Sequence, residues 1–142
     1  MSSTLLILTA CITQTAAEDR FNAQVAPLFE RRCVSCHNDD LRKGGLSLQS
    51  PEALLKGGDS GPAIVERKPA ESPLYSALLG DKPEMPKTGP PLTRAEIDRI
   101  RIWIEQGAAW PAGVTLEERP QADLDWWSLQ PVRRPDLPPV KD

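Results

Sequence analysis

Apolar positions near the start of the chain recur with a helical period. Phe21, Val25, Leu28 and Phe29 follow a spacing of about 3.6 residues, and extending it brings Cys33 and Cys36 to the same side. A first helix is therefore predicted to run into this cysteine pair. Pro27 interrupts the pattern, and a proline either kinks a helix or sits in its first turn, so the well-formed helix is expected to begin near Ala26. A stronger signal comes later. Thr93 and Glu96 stand as a capping box, with Leu92 and Ile97 at the positions of a hydrophobic staple, which predicts a helix from about Arg94 to Gln106. Its apolar face is Ile97, Ile100, Trp103 and Ile104, Ile102 falls off that face, and Gly107 is placed to end it. This helix is expected to pack on the first one or on a bound group.

Between the two helices lie the turn signals Gly44-Gly45, Ser50-Pro51, Gly57-Gly58, Gly61-Pro62 and Ser72-Pro73. They predict a mostly looped stretch holding two short helices, one starting at Ser50-Pro51 and stopping before Gly57, the other starting at Ser72-Pro73 and stopping before Gly80. Leu54, Leu55, Leu74, Leu78 and Leu79 are expected to face inward. From Pro111 to Asp142 there are six prolines, many charges and no sustained period, so this segment reads as a linker or tail. Trp126-Trp127 is its exception, because adjacent exposed tryptophans usually dock against something.

At the other end, Leu5 to Ile12 is apolar and Thr15-Ala16-Ala17 offers the small residues a signal peptidase reads. Residues 1–17 are read as a secretory signal, although no lysine or arginine precedes Leu5. Leu8-Thr9-Ala10-Cys11 resembles a bacterial lipoprotein box, but its apolar region, Leu5 to Ala10, is shorter than the usual minimum of about 7 residues, so lipidation at Cys11 is the lesser option. The expected organisation is a signal over 1–17, one domain over 18–111 and a Pro-rich linker or tail over 112–142, in an exported chain of the periplasm or cell envelope.

Composition narrows the function. A chain of 142 residues with 39% hydrophobic positions has room for one compact core. A net charge of -3 and no basic run with interleaved aromatics argue against a nucleic-acid partner. No other stretch approaches the roughly 20 apolar residues of a membrane helix, so no transmembrane segment is expected in the mature domain.

With Cys11 in the apolar leader, Cys33 and Cys36 are the only cysteine pair, and Cys33-Val34-Ser35-Cys36-His37 is the C-x-x-C-H pattern of c-type haem attachment. In that reading the two thiols form thioethers with the porphyrin and His37 is the proximal iron ligand. The competing readings are weaker. Structural zinc needs four ligands, and the chain has no second histidine. A dithiol redox centre sits at a helix start, whereas here the helix precedes the cysteines. A simple disulfide leaves His37 without a purpose. A second imidazole is excluded as sixth ligand, which makes methionine the next candidate; Met85, in Pro83-Glu84-Met85-Pro86, is the only internal one. Otherwise Met85 is a core filler.

Several longer runs accompany the motif: the helix into C-V-S-C-H, Gly44-Gly45-Leu46, Ala53 to Val65 with its G-G-D-S-G-P-A-I-V, Met85-Pro86, and Leu92 to Pro111 with Trp103-Ile104 and Gly107-Ala108. Together they resemble the planctomycete-type cytochrome c domain, a branch of the small all-helical c-type cytochromes, over about Phe21 to Pro111. The resemblance implies an all-α domain wrapped around one covalent haem, with long loops and an irregular tail, and with His37 and Met85 as axial ligands. It also implies that the Gly61-Pro62 turn lies on the proximal side, where the Pro62 carbonyl accepts the N–H of the histidine. One departure is Glu66-Arg67-Lys68, where the family tends to place a proline-glycine turn. In such proteins the domain is typically the N-terminal module of a longer chain, and Asp125 to Pro131 looks like a connector.

The expected function is electron transfer to a redox partner protein or a downstream domain, by a module that is not a catalyst in itself. The alternatives are a haem enzyme or gas sensor with a displaceable sixth ligand, or a haem-stapled interaction module of a larger protein.

Overall fold

The computed structural model describes residues 17–119. Residues 17–20 are helical and lead into a π-helical turn, Phe21–Val25, which is followed by α1, Ala26–Arg32. Pro27 explains the change of winding. It has no N–H to give to a carbonyl four residues back and its ring crowds that carbonyl, so the wider π turn, closed by the Ala26 N–H on the Phe21 carbonyl, absorbs the misfit. The α-helix begins at Ala26 with the proline in its first turn, as the sequence predicts.

Two short helices follow, α2 over Pro51–Lys56 and α3 over Pro73–Ser76. Ser50 caps α2 by accepting from the Ala53 N–H at 3.2 Å. Ser72 does not cap α3. It is fully buried and instead ties the turn before it, accepting from the Val65 N–H at 2.9 Å and donating to the Lys68 carbonyl at 2.8 Å. Leu54 and Leu78 face inward and Leu74 is partly buried, but Leu55 and Leu79 are 67% and 44% exposed. α2 is too short to bury more than one stripe, so Leu54 and Leu55 cannot both reach the core, and Leu78 and Leu79 lie in the turn after α3.

The last helix, α4, spans Arg94–Glu105 with both halves of its capping box formed. It ends in a Schellman motif: Gly107 N–H bonds to Ile104 O and Ala108 N–H to Trp103 O, with Gly107 at φ +96°. Trp103 packs against Phe21 and edge-on against Phe29, at ring distances of 5.7 and 5.6 Å, and Trp110 lies 4.3 Å from Phe21. Burial of these four rings joins the first and last helices and forms one end of the core. Both tryptophan N–H groups are satisfied, by Ala109 O and Val114 O at 2.8 Å each.

Among the described residues the fold is all-α with no strand. The nearest approach is an isolated bridge between Gly58 and Gly61. From Pro111 to Arg119 the chain stays on the domain: Leu116 is buried and trades hydrogen bonds with Gln49, its N–H to Gln49 O at 2.8 Å and Gln49 Nε2 to its carbonyl at 3.0 Å. The expected leader over 1–17 (but for Ala17), Cys11, and Trp126-Trp127 lie outside the described residues.

Candidate haem site

Helix α1 stops at Arg32, and the cysteine motif continues as hydrogen-bonded turns. Cys33 N–H and Val34 N–H both reach Phe29 O at 2.9 Å, and Cys33 O accepts from Cys36 N–H at 3.1 Å and His37 N–H at 3.0 Å. Val34 is fully buried and pins the motif to the core. The Leu48 N–H bonds to His37 O at 2.8 Å and fixes the far end.

Two glycine-rich loops brace this turn. Lys43–Gly45 forms a single 3-10 turn beside the motif, with Lys43 N–H on Cys36 O at 3.2 Å. The loop after α2 presses on it, Asp59 N–H donating to Gly44 O at 2.8 Å. A Cβ on Gly58 would lie 2.3 Å from Gly44 O, and one on Gly45 2.3 Å from Asp59 Oδ1. These contacts account physically for Gly45 and Gly58, one glycine of each pair. After them, Glu66-Arg67 still makes a turn, closed by Lys68 N–H on Val65 O at 3.0 Å, with Arg67 in the left-handed region at φ +62°.

Cys33, Cys36, His37, Pro62 and Met85 all line one cavity of about 420 Å³. Most of its remaining wall is apolar and includes Phe29 of α1, Leu74 of α3 and Ile100 of α4, with Leu48, Leu78 and Leu92 from the connecting segments. Thus α4 meets both the first helix, through Trp103, and the cavity, through Ile100. Arg32, Leu48, Leu78 and Ile100 were not singled out as site residues from the sequence. The apolar three had only their periodicity to mark them as core, and nothing local separates a core position from a cavity wall.

Both thiols are free. Burial pushes the Cys33 thiol up to about 12, against the opposing pull of the Arg32 charge, so Cys33 is a protonated thiol at neutral pH and not the thiolate of a redox dithiol. Among the described residues no group of three or more His, Cys, Asp and Glu is placed to hold a metal ion by itself. The Nδ1 atom of His37 is buried with no hydrogen-bond partner, the Pro62 carbonyl included. Met85 lines the cavity from the segment before α4, partly buried, with its N–H on Ala77 O at 2.9 Å.

The residues fit a porphyrin iron. The cavity is within the size range of cofactor sites, its wall is mostly apolar, and two thiols, an imidazole and a thioether line it from two stretches far apart in the chain. A small all-α domain whose apolar cavity is lined by C-x-x-C-H defines the class of the c-type cytochromes. Within it, the family described as Planctomycete cytochrome C matches residues 33–89, so this segment belongs to that family. The match covers the cysteine motif, both glycine loops and Met85, and implies a covalently held haem c with a role in electron transfer. No curated protein and no solved structure matches the chain.

Proposed function

We propose that this chain is an exported c-type cytochrome domain that carries one haem and passes electrons to a redox partner protein or a following domain. The observation that carries the reading is the meeting of Cys33, Cys36, His37 and Met85, from two segments far apart in the chain, on the wall of one cavity. Export is supported by the leader-like pattern over residues 1–17; among the described residues no helix is long and apolar enough to cross a membrane.

When bound, haem supplies a one-electron Fe(III)/Fe(II) couple; the rest is the work of the chain. Cys33 and Cys36 are the thioether attachment points, on a turn anchored by Val34 and by the bonds to Phe29 O. His37, held by its backbone bonds to Cys33 and Leu48, would hold the iron through its imidazole, with Pro62 O the candidate acceptor for its Nδ1–H. Met85 would hold it through its thioether sulfur. Thioether sulfur is soft and the wall is apolar, and both disfavour added positive charge, so the reduction potential is expected above that of a bis-histidine site. Phe29, Leu48, Leu78, Leu92 and Ile100 exclude water.

The test is made on protein matured in an exporting host. Denatured protein should retain its haem through acid-acetone extraction, and release of all haem defeats the assignment. Met85→Ala should keep the haem attached, lose the weak red absorption band of an iron–methionine bond, lower the potential and open the iron to cyanide. An unchanged spectrum and potential would make Met85 a packing residue.

A further inference from the structure

The segment bearing Met85 is almost without backbone support. Residues 80–91 form neither helix nor strand, and four of them are prolines with no N–H to give. Among the described residues the stretch makes one backbone–backbone hydrogen bond, from Met85 N–H to Ala77 O. Lys87 through Pro91 are exposed, so packing adds little at that end. A loop so built opens locally at low free-energy cost.

One further bond crosses to it. The guanidinium of Arg32 donates through Nη2 to Pro90 O. Arg32 ends α1, is partly buried, lines the cavity and immediately precedes Cys33. Its partner lies on the far side of Met85 from the Ala77 anchor. The two bonds therefore tie the loop at Met85 itself and at Pro90, one to the turn that follows α3, the other to the helix that carries the haem-attachment motif.

We propose that Arg32 is a positioning residue that holds the Met85 loop closed and thereby sets how tightly Met85 occupies the iron's sixth position. This rests on the reading of Met85 as an axial ligand. The charge of Arg32 makes its bond to a carbonyl stronger than a neutral one, and its planar fork suits a fixed acceptor. Without it the closed loop loses one of its two backbone ties, the one beyond Met85, and an external ligand competing with Met85 meets less resistance.

The experiment measures cyanide binding to the ferric holoprotein, together with the red iron–methionine band, in Arg32→Met, Arg32→Lys, Met85→Ala and the Arg32→Met/Met85→Ala double variant. Methionine keeps the buried stem of the arginine and removes the donor. Arg32→Met should bind cyanide about tenfold more tightly than wild type and show a weakened band, a tenfold change being the scale of one such hydrogen bond. Arg32→Lys, which can still reach a carbonyl, should recover most of the wild-type affinity. In the Met85→Ala background, already open, removing Arg32 should change nothing further. General loosening of the fold would instead raise affinity in both backgrounds. Wild-type cyanide affinity in Arg32→Met, alongside a raised affinity in Met85→Ala, overturns the proposal alone. A Met85→Ala protein that keeps its band overturns the ligand reading beneath it.

Discussion

Gly58→Ala examines why two glycine pairs are needed beside the cysteine motif. A Cβ at position 58 would stand 2.3 Å from Gly44 O, 3.2 Å from Leu46 N and 3.3 Å from Leu46 Cβ. The first contact is short of ordinary van der Waals separation by about 1 Å. Neither neighbour is the free end of a side chain, so one loop must retreat from the other. Retreat strains the Asp59 N–H to Gly44 O bond, a loss of about 1 kcal/mol, on top of an overpacking cost of roughly 1–3 kcal/mol. The sum is about 2–4 kcal/mol, which lowers Tm by roughly 10–20 °C in a domain of this size. The control is Gly44→Ala, whose Cβ meets nothing within 4 Å and which pays only for a left-handed φ of +65°, about 1 kcal/mol. Urea denaturation of both holoprotein variants, followed by far-ultraviolet circular dichroism, gives the comparison. If Gly58→Ala costs no more than Gly44→Ala, close approach of the two loops is not what demands glycine there.

Ser72→Ala leaves the Val65 N–H and the Lys68 carbonyl without their partner at a fully buried site; a loss of about 1–3 kcal/mol is expected in urea denaturation, and an unchanged midpoint would show that the turn does not depend on this hydroxyl. A pH effect is expected from Glu96. Burial pushes its carboxyl up, but hydrogen bonds from the Thr93 N–H and hydroxyl, with the charges of Arg32 and Arg31, outweigh that and hold it below the ordinary value of 4.5. The folded chain therefore takes up this proton less readily than the unfolded one, so its stabilisation is present above 4.5 and is lost as pH falls through the lowered value. Stability measured against pH should fall less steeply over that acid range in Thr93→Ala than in the parent, and parallel acid limbs would show that the cap does not set the Glu96 titration.

Local chemistry made much of this protein legible in its sequence. The capping box Thr93 and Glu96 and the stop at Gly107 mark α4 because each acts on backbone groups within a few residues. Pro27 places the start of α1 for the same reason, and Ser50-Pro51 places α2. The C-x-x-C-H motif and the single internal methionine named the candidate ligands by elimination, since a chain with one histidine has few others to offer. Tertiary structure decided what local signals do not carry. Ser72 looks like a cap and is a buried tie between Val65 and Lys68; Leu55 and Leu79 look like core and are exposed, Leu55 because a helix of six residues shows the core one narrow stripe and Leu79 because α3 ends before it. The Gly44-Gly45 and Gly57-Gly58 pairs read as turns, yet Gly45 and Gly58 answer to backbone contacts between loops distant in sequence. Arg32 reads as an ordinary helix-end cation, and only the packing of the first helix against the Met85 segment shows that its guanidinium meets Pro90. Leu116 sits in a stretch too poor in apolar residues to fold alone, and is buried because Gln49 and the core supply from elsewhere in the chain what the stretch lacks.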